Sequence, residues 1–175
     1  TTLGMIGDAA LREPLTDVLQ FDDSLAVRDA AAVSLAQLGP QTTDLFTQLL
    51  GDSDATTRSR AADALRRLGP AARSSLPALR VALTDEATAV RIGAAEAIWS
   101  VSGEVPLPLD AAAELLAAPE RETRMRAHRL LVDMGRVTHD PALLERLQSL
   151  SQSRDPRVRQ AAYLALREVQ QAAPQ

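Results

Sequence analysis

The stretch Ala26-Val27-Arg28-Asp29-Ala30-Ala31-Ala32-Val33-Ser34-Leu35-Ala36-Gln37-Leu38-Gly39 decides the fold. Three, four, seven and ten positions after Arg28 stand Ala31, Ala32, Leu35 and Leu38. Those offsets fall on one face of an α-helix. Gly39 closes the stretch, and glycine turns a helix end left-handed at little steric cost. The spacing predicts an amphipathic helix that ends at Gly39.

The same phrase returns four times. Arg28, Arg58, Arg91, Arg124 and Arg159 come into register at spacings of 30, 33, 33 and 35 residues. The paired small residues become Ala61-Ala62, Ala94-Ala95, Ala127-His128 and Ala162-Tyr163. The seventh-position residues are Leu65, Ile98, Leu131 and Leu166, and the tenth are Leu68, Val101, Met134 and Val169. Glycine closes four of the five units, at Gly39, Gly69, Gly103 and Gly135. Acidic turns precede the helices at Asp22-Asp23-Ser24, Asp52-Ser53-Asp54, Asp85-Glu86 and Asp155. Their carboxylates suit free N–H groups and the positive end of a helix dipole.

A first helix precedes each of these second helices. Its apolar positions are Leu11, Leu15, Val18 and Leu19 in the first unit, then Leu45, Phe46, Leu49 and Leu50, then Leu76, Leu79 and Leu83. The fourth unit offers Leu109, Ala112, Leu115 and Leu116, and the fifth Leu143, Leu144, Leu147 and Leu150. One such hairpin buries too little surface to stand alone, so neighbours must stack.

The Asp-rich turn, the Val-Arg pairs (Val27-Arg28, Val90-Arg91, Val158-Arg159), the paired alanines and the Leu-Gly endings resemble the HEAT-repeat family in its short bacterial form, similar to the repeats of phycobilin-lyase-type proteins. The resemblance covers nearly the whole chain. It implies an all-α, right-handed, armadillo-like superhelix of about five hairpins, with the second helices lining the concave side. One domain over residues 1–175 is expected, with repeats near 8–39, 40–69, 70–103, 104–135 and 136–171. Thr57 and Thr123 stand where the family has Val, and His128 and Tyr163 where it has the second Ala.

Prolines and glycines punctuate this pattern. Pro14 and Pro77 predict a kink or a late start in their first helices. Pro40 and Pro70 stop the helices before them. The longest break is Glu104-Val105-Pro106-Leu107-Pro108-Leu109-Asp110, read as an inter-repeat loop. Leu3-Gly4 reads as the ending of an earlier repeat, and with Thr1 first the expectation is a piece of a longer bacterial protein.

Composition narrows the function classes. Hydrophobic residues make up 46% but aromatics only 2%, so alanine, leucine and valine must build the core. All 19 basic residues are arginine, and the net charge of −4 opposes whole-surface binding to nucleic acid. The absence of cysteine removes disulfides and thiolate metal sites. No apolar run reaches the length of a membrane span. A cytoplasmic location is expected.

No residue announces a reaction. His139 beside Asp140 makes a poor pair of ligands, and His128 reads as a half-buried packing residue. No metal-ligand spacing, phosphate loop or nucleophile motif appears. We therefore expect no catalytic, cofactor-binding or metal residues and no cofactor. Two enzymatic HEAT-like classes, the bilin lyases and a class of DNA glycosylases, fit poorly. The first calls for more aromatic surface, and the second for a basic one.

The expectation is a protein-interaction scaffold or adaptor. Around each reference arginine, offsets 0, 3, 4, 7 and 10 face the core, and offsets 2, 5 and 9 point away from it. Arg60, Asp63, Arg67, Glu96, Trp99, Arg126 and Arg129 lie on that exposed ladder or its flank and form the candidate partner-binding set. Arginine and tryptophan are enriched at interface hot spots. Competing with this, Asp63–Arg67, Glu122–Arg126 and Arg129–Asp133 have the spacing of ordinary helix-surface ion pairs. Arg28, Arg58, Arg91, Arg124 and Arg159 are expected to form a structural ladder with the turn acids. The runner-up function is nucleic-acid backbone binding through the arginine patch, followed by a HEAT-like enzyme or lyase domain.

Overall fold

A computed structural model describes residues 2–172, with side-chain surroundings from residue 10 onward. The fold is an all-α repeat. Second helices lie at Leu25–Gln37 (α2), Ala55–Leu68 (α4), Thr88–Ser102 (α6), Arg121–Thr138 (α8) and Pro156–Ala172 (α10). First helices precede them at Thr2–Phe21 (α1), Thr43–Leu49 (α3), Leu76–Ala82 (α5), Pro106–Leu115 (α7) and Pro141–Leu150 (α9). Among the described residues no helix is long and apolar enough to cross a membrane.

The chain divides into two compact units, Thr1–Gly103 and Glu104–Gln175. In the first, α4 and α6 pack most extensively, through Ala61, Ala62, Ala94 and Ala95, all fully buried. Alanine pairs remove the side-chain bulk that would hold two helices apart. Leu35, Phe46, Leu65, Leu79 and Ile98 fill the space between the layers, also with no exposure. Each such side chain contributes about 2 kcal/mol of apolar burial. In the second unit Leu116, Leu131, Met134, Leu143, Leu147 and Ala165 do the same work around α8 and α10.

Prolines act at helix starts more than inside helices. Pro40 and Pro70 each open a short 3-10 turn leading to α3 and α5, and Pro77 lies in the first turn of α5. Pro106 begins α7, so the expected loop over 104–110 shrinks to Gly103-Glu104-Val105. The first-turn N–H groups have no helical partner, so the prolines there cost no hydrogen bond. Pro14 is different: α1 runs through it without ending. Gly4, read as closing an earlier helix, lies inside α1. Leu11, expected on the buried stripe, is 54% exposed.

The closing glycines also divide. Gly39, Gly69 and Gly103 have φ of 100°, 57° and 71°, the region that favours glycine. Gly135 does not close its helix. α8 continues to Thr138 and ends at His139, which takes the left-handed conformation at φ 51°. A Cβ at Gly135 would lie 2.5 Å from Val169 Cγ2 and 3.2 Å from Leu143 Cδ2. The glycine is there so that α9 and α10 can approach α8.

Candidate functional site

Four of the five register arginines, Arg58, Arg91, Arg124 and Arg159, share one local geometry. Nη1 of Arg58 donates to the carbonyls of Asp52 and Ser53 at 2.8 and 3.1 Å. Arg91 reaches Asp85 and Glu86 at 2.6 and 3.0 Å, and Arg124 reaches Ala118 and Pro119, both at 2.7 Å. Arg159 reaches Ser153 at 2.8 Å. Each arginine thus satisfies carbonyls of its own hairpin turn, five or six residues back. These carbonyls lie in the turn itself, three or four residues beyond the end of the first helix. The repeating offset follows from the repeating turn length.

Two of the five reach the next turn. Arg28 lies 3.5 Å from Asp54, and Arg58 holds Asp85 at 2.7 and 2.9 Å and Glu86 at 3.4 Å. The Arg58 hydrogen bond, helped by the Ala87 N–H, brings the Asp85 carboxyl below its ordinary value against the opposing effect of burial. The same contact raises the Arg58 guanidinium further. Burial pushes Asp54 up, but hydrogen bonds from Thr56 and Thr57 outweigh it and leave the carboxyl lowered. Thr57, where the family has Val, is therefore part of a cap. Asp155 is lowered by the Arg157 N–H and side chain.

The candidate partner-binding residues are distributed between the two units. In the first, Arg60 departs from the exposed ladder: it is only 8% exposed, and its Nε meets Asp29 of α2 at 2.5 Å. Its offset of 2 lies about 60° round the helix from offset 5, which turns it toward the preceding second helix. Gly93, at the same offset in α6, is buried too. Asp63 pairs with Arg66 at 3.9 Å, and Arg66 also meets Glu96 at 3.6 Å. Arg67 stays exposed beside a groove of about 300 Å³ between α2 and α4. Trp99 is half-buried on α6.

In the second unit, a groove of about 890 Å³ runs between α8 and α10. Every third or fourth residue of α8 from Arg121 to Arg136 lines it, and α10 contributes a matching stripe from Arg157 to Glu168. Five arginines face two carboxylates, Asp133 and Glu168. Arg136 and His128 both turn to Glu168, at 3.3 and 3.2 Å, and His128 Nδ1 faces the Ala161 carbonyl at 3.2 Å. The half-buried reading of His128 fits, but its work is polar: it ties α8 to α10. Arg129 and Arg121 are exposed with no acidic partner among the described residues, so the expected Arg129–Asp133 pair does not form. Met125, 51% exposed, and Leu164, 41% exposed, supply apolar surface. Arg126 is half-buried beside Arg129 in a smaller adjoining pocket.

Sequence reasoning found Arg129 but missed Arg121, Met125 and Arg157. Met125 lies at offset 1, on the same stripe as Arg129 at offset 5, whereas Arg121 and Arg157 lie two or three residues before their reference arginines, outside the offsets considered. Among the described residues no group of three His, Asp or Glu side chains is placed to hold a metal ion.

A HEAT-repeat family model matches residues 42–131. Among the curated proteins nothing matches. Of solved structures, the CpcE–CpcF complex of phycocyanin lyase from Nostoc sp. PCC7120 is similar at a TM-score of 0.69 and 20% identity, covering 90% of this chain and 98% of that one. An engineered protein matches at 0.54 and 22%, covering 97% and 83%. Human deoxyhypusine hydroxylase matches at 0.53 and 21%, covering 97% of this chain and 65% of that one. These identities speak for the fold alone. The family match spans more than half of the 175 residues, over hairpins that carry the repeat in both sequence and structure, and the chain belongs to the HEAT-repeat family.

Proposed function

We propose that this chain is a non-enzymatic adaptor module, acting in the cytoplasm, that binds a protein partner on the outward faces of its second helices. One observation carries the reading. Arg67, Arg121 and Arg129 are exposed on those faces and are held in none of the ion pairs that tie up their neighbours among the described residues. The other charges in the two grooves are largely committed to neighbours, as Arg60 is to Asp29 and Arg136 is to Glu168. Exposed arginines beside apolar surface are what interface hot spots use. The CpcE–CpcF structure, with its related fold, is a complex of two proteins, which adds support for a protein partner.

The test is affinity capture from lysate with the full chain and with an Arg67/Trp99/Arg129→Ala variant of matched helicity. A protein retained by the parent and lost by the variant is the expected result. Equal retention by both would move the site off the second helices. Capture of nucleic acid alone, falling steeply with salt, would replace this reading with backbone binding.

A further inference from the structure

We infer that the α8–α10 groove binds an acidic, apolar helical segment of a partner protein, with its carboxylates over the N-terminal ends of α8 and α10. The inference rests on the adaptor reading and names the chemistry of one of its surfaces. Charge along the groove is uneven. His128 and Arg136 both converge on Glu168, so the far end is largely self-neutralised. At the near end stand Arg121 and Arg124, the latter with its bonds to uncharged carbonyls, and Arg129 stands farther along, one turn past Met125. Arg157 is at this end too, facing only Asp155. Both helices also present their positive dipole ends here. A segment with acidic residues at this end would be complementary to it.

The middle of the groove argues for a peptide over a phosphate backbone. Met125 and Leu164 are exposed on opposite walls, and the half-buried Ala161 lies between polar neighbours. Apolar side chains gain from covering these groups, whereas a sugar-phosphate chain gains little. Asp133 has no cationic partner among the described residues and would repel phosphates. The stripe from Arg121 to Arg136 spans roughly 22 Å, the length of a helix of about 15 residues. Such a helix lays an i, i+3, i+4, i+7 face into a groove of this kind.

The probe is a display library of random-sequence peptides selected on the full chain. Selected peptides are expected to carry clustered Asp or Glu beside apolar residues at helical spacing. Arg121→Glu with Arg129→Glu should weaken them about ten-fold or more at low salt, with an unchanged melting temperature. Leu164→Ala should weaken them as well, and Arg67→Glu should not. Selection of basic or purely polar peptides, or of none, would overturn the inference. So would acidic peptides that respond to Arg67→Glu and ignore the groove variants. A single-stranded oligonucleotide that displaces the peptide and is unmoved by Leu164→Ala would overturn it in favour of nucleic acid. These failures are separable from failure of the adaptor reading. A lysate partner lost with Arg67 and Trp99 but kept by the groove variants would retain the adaptor and remove this site.

Discussion

Arg58 holds the Asp85 carboxylate through two hydrogen bonds, Nε to Oδ2 at 2.7 Å and Nη2 to Oδ1 at 2.9 Å, while its remaining nitrogen closes its own turn. One guanidinium therefore joins two successive hairpins. Both side chains are nearly buried, at 10% and 12% exposure. Arg58→Ala strands the Asp85 charge and the Asp52 and Ser53 carbonyls together. The expected loss is roughly 2–4 kcal/mol. Arg91→Ala loses two carbonyl contacts at a half-buried site and should cost less, and Arg159→Ala, exposed with one carbonyl contact, least. Urea unfolding of the three variants checks the order. Equal midpoints for Arg58→Ala and the parent would remove the ladder.

The acid limb of stability should trace to the turn carboxylates. Asp85, held by Arg58, and Asp54, held by the Thr56 and Thr57 hydrogen bonds against the rise that burial causes, both titrate below the ordinary carboxylate value. The unfolded chain, at about 3.9, takes up protons first as pH falls. Their contribution is thus full above the unfolded value and is lost as pH drops through the lower native one. Asp85→Asn should lower stability at neutral pH and flatten the decline between about pH 5 and pH 2. Urea midpoints across that range measure it, and an unchanged slope would contradict the assignment.

Gly135 and Gly103 should respond to alanine for different reasons. At Gly135 the new methyl meets Val169, and overpacking there costs about 1–3 kcal/mol. Val169→Ala should relieve part of that cost, so the double-mutant cycle should show coupling. At Gly103 nothing lies within 4 Å of a new Cβ, and only the left-handed backbone, at φ 71°, resists it. About 1 kcal/mol is expected, with no coupling to any neighbour. Thermal unfolding of the four variants separates the two causes.

These pairs also show what the chain discloses on its own. The register of Arg28 to Arg159 and the apolar offsets 3, 4, 7 and 10 are one-dimensional signals, and they gave the helices, the paired alanines and the family. The glycine at the end of each phrase looked equivalent in all four places. In the structure Gly135 stands apart: it lies inside α8 against Val169 and Leu143, while the other three take positive φ at helix ends. The candidate site was less legible for a related reason. Offset 2 and offset 5 both point away from a helix's own hairpin, but offset 2 faces the neighbouring second helix. Asp29, which covers Arg60, stands 31 residues earlier. Offset 5 was legible on α8 and α10, where Arg129 and Leu164 are exposed, but not on α6, where Glu96 turns to Arg66 of the neighbouring helix.

The central claim is that a protein partner meets the outward face of the second helices. Site-specific photocrosslinking in lysate tests it most directly, with a photoreactive amino acid at position 129 on α8, at position 67 on α4, or at Val81 on the first helix α5. Val81 is 73% exposed, so it reports the opposite class of helix with equal access. The account predicts a discrete protein adduct from position 129 or 67 and none from position 81. An adduct from position 81 alone, or from no position, would contradict it.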